Sequence, residues 1–333
     1  MELASPARGV GTTGTRRGLT WGAAAAFVLG AGLVMAWCRA TPIAATERWP
    51  AGTPWQARVR NVAGVDLRVV DSGTGPAVVF LHGIGGLSYS WREQLGPVAA
   101  AGYRVVAIDL PGFGYSAKPR RGYGNADFRR VVVALLDSLR LDPAVLVGHS
   151  MGGEIAAEVA LAHPARVQGL VLIGPAGLGT RAPALLRVAR WPIVGWIATA
   201  LAGRRMVARQ LRSTHADPGR VSDAAVDQYY APLREPGAGR AWRQTLRRFR
   251  FDSLGTHVRR IQVPTLLIWG AQDVWIPATY GRLMAVELPV SALIVVPDAG
   301  HNVMEEQPAV VNRALIDYLN NGLPKAPGDL ALH

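Results

Sequence analysis

Short runs of consecutive apolar residues alternate, along most of the chain, with longer stretches whose apolar positions recur every three or four residues. The runs lie at 77–81, 104–108, 144–147, 169–173, 265–269 and 292–296, and each ends in a glycine-bearing loop. Strands covered by helices on both faces look like this, because neither face needs a polar residue. The helical stretches between them fall at 90–101, 127–139, 151–162, 278–286 and 309–320. Ahead of this series, 57–62 and 65–71 flank the turn Ala63-Gly64 and predict a hairpin. The alternation predicts an α/β fold: a mostly parallel central sheet with helices on both faces and right-handed crossovers.

The alternation breaks once. Between 173 and 265 the pattern is helical throughout, with stretches at 184–202, 204–213, 222–231 and 241–251. A helical insertion after a parallel strand lies at the sheet edge where ligands bind, so residues 175–260 are expected to form a lid or cap over a core of 56–174 and 261–322. Residues 323–333 form a tail. Within 175–260 sixteen Arg and no Lys stand against five acids, a net of +11 out of +13 for the whole chain. Such a field would attract acidic substrates or anionic headgroups. An arginine-laced helical surface explains it equally well, and basicity of this kind does not by itself point to nucleic acid.

The amino terminus reads differently. Residues 1–18 have no core-forming pattern, and residues 19–38 carry no charge over twenty positions, the length that crosses a bilayer as a helix. Arg16 and Arg17 precede them and Arg39 follows. The segment is expected to act either as an uncleaved anchor with its arginine pair in the cytoplasm or as a twin-arginine export signal. Residues 39–55, with three prolines, read as a linker. The expected location is therefore the inner membrane or periplasm of a bacterial-type cell, with a membrane surface as a candidate partner. Cys38 is the single cysteine, which excludes an internal disulfide and a thiolate zinc cluster. No metal, nucleotide or haem signature occurs, and no cofactor is expected.

The candidate chemistry concentrates at Gly148-His149-Ser150-Met151-Gly152-Gly153, between an apolar run and a helical stretch. Gly-x-Ser-x-Gly in that setting forms a tight strand-to-helix turn that projects the serine alone, with the helix N-terminus favouring negative charge. A serine hydroxyl needs a general base within reach. Among seven histidines, His301 follows the last predicted strand and is placed for that role; His82 is read as bracing its own loop. An acid must fix the imidazole tautomer, and Asp273, after the run 265–269, is preferred to Asp298, which lies close enough to His301 to shape that loop instead. For the oxyanion, the backbone N–H groups of Met151 and of Ile84 are expected to serve, with Gly83 as second choice in the loop His82-Gly83-Ile84-Gly85-Gly86. Gly83, His149 and Trp191 are expected to contact substrate.

From residue 57 to 320 the chain resembles the α/β-hydrolase fold proteins that carry a helical cap. The resemblance rests on His82-Gly83, the turn from Asp109 to Ser116, the Ser150 elbow, Asp273, Gly300-His301 and Glu306-Gln307-Pro308, in family order. It implies a serine hydrolase with Ser150 as nucleophile. Ser150 separates the chain from the dehalogenases and epoxide hydrolases of this fold, which place aspartate there. Carbon–carbon bond hydrolases of aromatic breakdown are also similar, down to Gly174-Pro175-Ala176-Gly177, but they usually have Asn at the position of His149 and Trp at that of Asn302. The sequence form is commoner among esterases and lipases, so the expected substrate is a small-molecule carboxylic ester with an apolar acyl or aromatic part, lipid-like esters included, met by a cap face that includes Leu185, Leu186, Trp191, Ile193 and Trp196, with Arg187, Arg190, Arg204, Arg205 and Arg209 nearby. Cleavage of meta-cleavage products and a binding protein with little turnover are the alternatives.

Overall fold

In the computed structural model, β1 (Ala57–Val62) and β2 (Val65–Ser72) form the antiparallel hairpin, with Val62 opposite Val65. Six further strands follow: β3 (Ala77–Leu81), β4 (Arg104–Ile108), β5 (Ala144–His149), β6 (Val167–Ile173), β7 (Thr265–Gly270) and β8 (Ser291–Val296). They join the hairpin in one sheet of order β1-β2-β4-β3-β5-β6-β7-β8, parallel from β4 onward. The structure describes residues 55–141, 143–179, 191 and 203–324. The segment expected to span or target a membrane, the leader, most of the linker and the predicted helix at 184–202 lie outside them, apart from Trp191. Among the described residues no helix is long and apolar enough to cross a membrane.

The apolar runs form strands because both faces are covered. Along β3, Val79 and Leu81 point into one core with Leu135 and Ile155, while Val78 and Phe80 point into the other with Trp91, Leu95 and Leu315. The covering helices are α1 (Arg92–Ala100), α2 (Asn125–Leu139) and α3 (Met151–Ala162), within two residues of expectation at either end. The chain then enters the insertion between β6 and β7, which contains α4 (Arg204–Ser213), α5 (Asp223–Tyr230) and α6 (Ala238–Arg248), and no strand among the described residues. The fold closes with α7 (Ala278–Glu287), the short α8 (Val303–Glu306) and α9 (Pro308–Asn321). Among the described residues, a minority of the insertion's arginines meet local acids: Arg204 pairs with Asp223 and Asp227, Arg220 with Asp217, and Arg250 with Asp252. Those arginines are surface pairs, each worth little to stability.

The junction of β5 and α3 is a tight turn. Ser150 has φ 53° and ψ −117°, a conformation costly for a residue with a side chain. Its N–H is tied to Ile173 O at 3.0 Å, and its carbonyl accepts from Gly153 and Glu154. The flanking glycines are required by contact. A Cβ on Gly148 would lie 2.4 Å from Gly152 O, and one on Gly152 would lie 2.1 Å from Leu81 O. Helix α3 is buried along its first ten residues, including two carboxyls.

Those carboxyls, Glu154 and Glu158, sit one turn apart and face Ser253, where the chain returns from the insertion. The Ser253 hydroxyl contacts one oxygen of each. A hydroxyl has one hydrogen, so bridging two carboxyls requires a proton on one of them. Asn125 donates to Glu158 at 2.8 Å, and Arg129 lies 3.7 Å from its other oxygen. Burial, opposed by the Ser253 hydrogen bonds, pushes Glu154 up to about 8. The proton therefore resides on Glu154.

Two outcomes follow from these contacts. Gly152→Ala should destabilise the protein by about 2 kcal/mol or more in urea unfolding, because the clash is with backbone, whereas Gly96→Ala, inside α1 with only Trp55 near at 3.9 Å, should be neutral or stabilising. Because Glu154 keeps in the folded state a proton that the unfolded chain releases above its ordinary value of 4.5, stability should fall as pH rises from about 5 to 8 and then level off. Glu154→Gln should flatten that slope in thermal melts across the same range.

Candidate active site

Three loops at the carboxyl ends of β5, β7 and β8 bring the predicted residues together. Asp273 lies in the turn after β7 and is held by its own loop: Oδ1 accepts from the N–H groups of Trp275 and Ile276, both at 2.8 Å. Its other oxygen accepts from His301 Nδ1 at 2.7 Å. Both side chains are nearly out of water, at 0% and 4% exposed. Nδ1 therefore carries the hydrogen, and Nε2 is left with a lone pair. Gly174 permits this approach, since a Cβ there would lie 3.3 Å from His301 Nδ1 and 3.4 Å from Asp273 Oδ2. Asp298, the rival acid, is exposed with φ 50° and accepts from Gln272 at 3.3 Å, so it shapes the loop and does not touch the imidazole.

Ser150 and His301 line the same cavity, of about 180 Å³. No hydrogen bond from the Ser150 hydroxyl to the imidazole is formed among the described contacts. In unliganded sites of this kind such a bond is often long and tightens only with substrate. His149, beside the nucleophile, donates from Nε2 to His301 O at 3.0 Å, and its ring lies 4.7 Å from that of His301. Burial, and then the proximity of His301, push its imidazole well below the ordinary value, so it stays neutral. Gly83 packs against it: a Cβ at Gly83 would lie 2.8 Å from His149 Nδ1 and 3.1 Å from Ser150 Cβ. His82 braces its loop as expected, with Nδ1 at 2.7 Å from Gly83 O and Nε2 accepting from Leu110 N–H at 2.9 Å.

Ile84 lies on the cavity wall and Met151 opens α3, where first-turn N–H groups lack helical partners. Of the two expected oxyanion donors, Ile84 thus lines the cavity with Ser150, and Met151 follows Ser150 directly at the start of α3. The insertion supplies the opposite walls through Met206, Val207, Leu211, Leu233, Trp242 and Leu246. Polar groups enter from Ser90, Gln210, Thr214, Tyr229, Arg243 and Asn302. Trp191 corrects an expectation: it is 70% exposed and absent from the lining, because α4, α5 and α6 form these walls instead. The other apolar residues expected on the cap face lie outside the described residues. Arg204 is likewise engaged, at 2.6 Å from Asp227, and does not face the cavity.

Three contributors were not anticipated. Trp275 lies parallel to the His301 ring, with centroids 6.0 Å apart, and its indole N–H reaches Ser213 O at 3.2 Å. Tyr229 of α5 donates to Glu305 and contacts the Ser90 hydroxyl at 2.8 Å. Trp242 reaches from α6 across the glycine loop, where a Cβ on Gly85 would lie 2.8 Å from its ring. Only the aromatic character of these residues was visible in the sequence. Among the described residues no group of three His, Cys, Asp or Glu side chains converges as a metal site requires.

The sequence profile of the α/β hydrolase fold matches residues 76–308. A Comamonas testosteroni 2-hydroxy-6-oxononadienedioate/2-hydroxy-6-oxononatrienedioate hydrolase is 30% identical, with 79% of this chain and 94% of that protein covered. The dihydrolipoyllysine-residue acetyltransferase component of the acetoin cleaving system of Pseudomonas putida is 34% identical over 74% of this chain, and the match spans 64% of that longer protein. A meta-cleavage product hydrolase from Pseudomonas fluorescens superposes with a TM-score of 0.70 at 24% identity, covering 79% of this chain and 97% of that one, a likeness of fold. With the nucleophile elbow and the Asp–His pair on one sheet edge and the profile matching residues 76–308, the chain belongs to the α/β-hydrolase fold family and is a hydrolase of that fold.

Proposed function

We propose that the chain is a serine hydrolase that cleaves small carboxylic esters with an apolar acyl or aromatic part through an acyl-enzyme intermediate. The observation that carries the proposal is the His301 Nδ1–H bond to a backbone-anchored Asp273, which leaves Nε2 basic beside a serine on a strained elbow. In the first half-reaction Ser150 Oγ bonds to the acyl carbon as Nε2 takes its proton. The N–H groups of Ile84 and Met151 receive the oxyanion. The tetrahedral species collapses by breaking the bond to the alcohol oxygen, which takes the proton from His301. Water then repeats the sequence, releasing the acid and restoring Ser150. Asp273 stabilises the imidazolium throughout without taking a proton.

The size and lining of the cavity favour a compact acyl group. At about 180 Å³ it falls below the roughly 300–1,000 Å³ of pockets for larger ligands, and its walls are mainly aliphatic and aromatic. A second reading is carbon–carbon cleavage of a dienoate. It is supported by the 30% identical hydrolase of Comamonas testosteroni and by Arg243, a cationic side chain at the cavity wall suited to a carboxylate. The relatives speak for that reading; His149 and Asn302, next to the nucleophile and the base, speak for the ester. Residues 19–38 are proposed to place this activity at or beyond a bacterial-type membrane, on the strength of their charge-free length alone.

A panel of p-nitrophenyl esters from acetate to laurate tests the assignment. Short esters should be turned over fastest, and Ser150→Ala should lower kcat by about 1,000-fold or more. Cleavage of a 2-hydroxy-6-oxohexa-2,4-dienoate with no ester turnover would replace the first reading by the second. Binding of such compounds without turnover of either would overturn both.

A further inference from the structure

Outside the reacting groups, one buried carboxylate joins the insertion to the loop of the catalytic base. Glu306, on α8, is 1% exposed. One oxygen accepts from Gly300 N–H at 2.7 Å and from Ala216 N–H at 3.0 Å; the other accepts from Asp217 N–H at 2.7 Å. Gly300 immediately precedes His301, whereas Ala216 and Asp217 belong to the insertion. Two contacts strengthen the junction. Asn302, following the histidine, donates its N–H to Thr214 O at 3.1 Å, and Arg220 of the insertion donates to Glu306 O. The approach is so close that a Cβ on Gly300 would lie 2.6 Å from Thr214 O.

We propose that Glu306 is a positioning residue: by accepting N–H groups from both the insertion and Gly300, its carboxylate sets His301 in register only while segment 214–217 is docked. This rests on the hydrolase reading of Ser150 and His301. Both carboxylate oxygens act as acceptors, and no cation pairs with the group among the described ion pairs, so its charge is balanced by three peptide donors aimed at fixed points. Charge-assisted bonds of this kind are directional and stronger than neutral ones. A shift of the insertion would remove two of the three donors and weaken the hold on the third. The base would then lose its alignment with Ser150 before any residue that touches substrate had changed. Catalysis thereby becomes conditional on closure over the substrate, which keeps an activated serine from reacting in an open site.

The test uses the full-length chain in detergent, with wild type, Glu306→Gln, Glu306→Asp and Arg220→Ala. Two readouts are taken: the rate at which a fluorophosphonate labels Ser150, and the low-field proton resonance of the His301 Nδ1–H held by Asp273. Glu306→Gln cannot accept at all three N–H groups, and Glu306→Asp is too short to reach them. Each should slow labelling about 10-fold or more, lower kcat on p-nitrophenyl acetate and on longer esters by the same factor, and broaden the low-field resonance. Labelling at the wild-type rate with an unchanged resonance would overturn the proposal. So would a rise in KM confined to longer esters with acetate turnover intact, since that is the signature of a merely structural prop for the cap. Where wild type itself is not labelled, the hydrolase reading fails, and the resonance still decides whether Glu306 governs the histidine. Should neither Glu306 variant fold, Arg220→Ala, which leaves the carboxylate in place, should still slow labelling by about 2-fold or more; no change would count against the inference.

Discussion

The backbone of Ser150 is the constraint on which the rest of the site depends. A non-glycine residue at φ 53° and ψ −117° is unfavourable in isolation and persists because its surroundings over-determine it. Its N–H is claimed by Ile173, its carbonyl by the first turn of α3, and the glycines at 148 and 152 leave no room for another side chain. Holding that strain requires a rigid helix behind it, and α3 is buried over its first ten residues. The result is a serine that lines the same cavity as Ile84 and the histidine.

A second pattern unites the loops around the serine. Buried carboxylates here are balanced chiefly by peptide N–H groups. Asp273 takes two besides the imidazole. Glu306 takes three. Asp109, fully buried, takes those of Ser88 and Tyr115, with Arg68 3.6 Å away. A carboxylate satisfied by several N–H donors fixes the path of the backbone that supplies them, which a flexible lysine partner would not do. Loops that would otherwise sample many shapes are thereby given one. The two carboxyls of α3 depart from this pattern: Glu154 has Ser253 but an unpartnered second oxygen and retains its proton, and Glu158 is held by the side chains of Asn125 and Ser253.

The features legible in the sequence were those written in local pattern. Strands β1, β3 and β4, helix α4 and helix α3 end where the apolar periodicity ends, and the elbow is spelled out by adjacent glycines. Asp273 and His301 could be picked out because each follows a predicted strand, and the structure brings them to 2.7 Å. The cap was harder. Trp191 was expected at the substrate because it is aromatic and sits among apolar neighbours, yet it is largely exposed. Apolar character shows that a residue can be buried but not against which surface. Trp275, Tyr229 and Trp242 were missed for the converse reason: each acts through contacts with residues distant in the chain, and no periodicity records such meetings. Glu306 stood in the sequence as part of a motif, but its three donors come from two other loops.

The central claim is that Ser150, His301 and the N–H groups of Ile84 and Met151 converge on one reacting carbon. A crystal structure of the chain after reaction with an alkyl phosphonate tests it most directly. The account predicts phosphorus bonded to Ser150 Oγ, one phosphonyl oxygen within hydrogen-bond distance of both N–H groups, and His301 Nε2 within reach of the serine oxygen. An adduct on another residue, or a phosphonyl oxygen turned away from those donors with His301 out of reach, would contradict it.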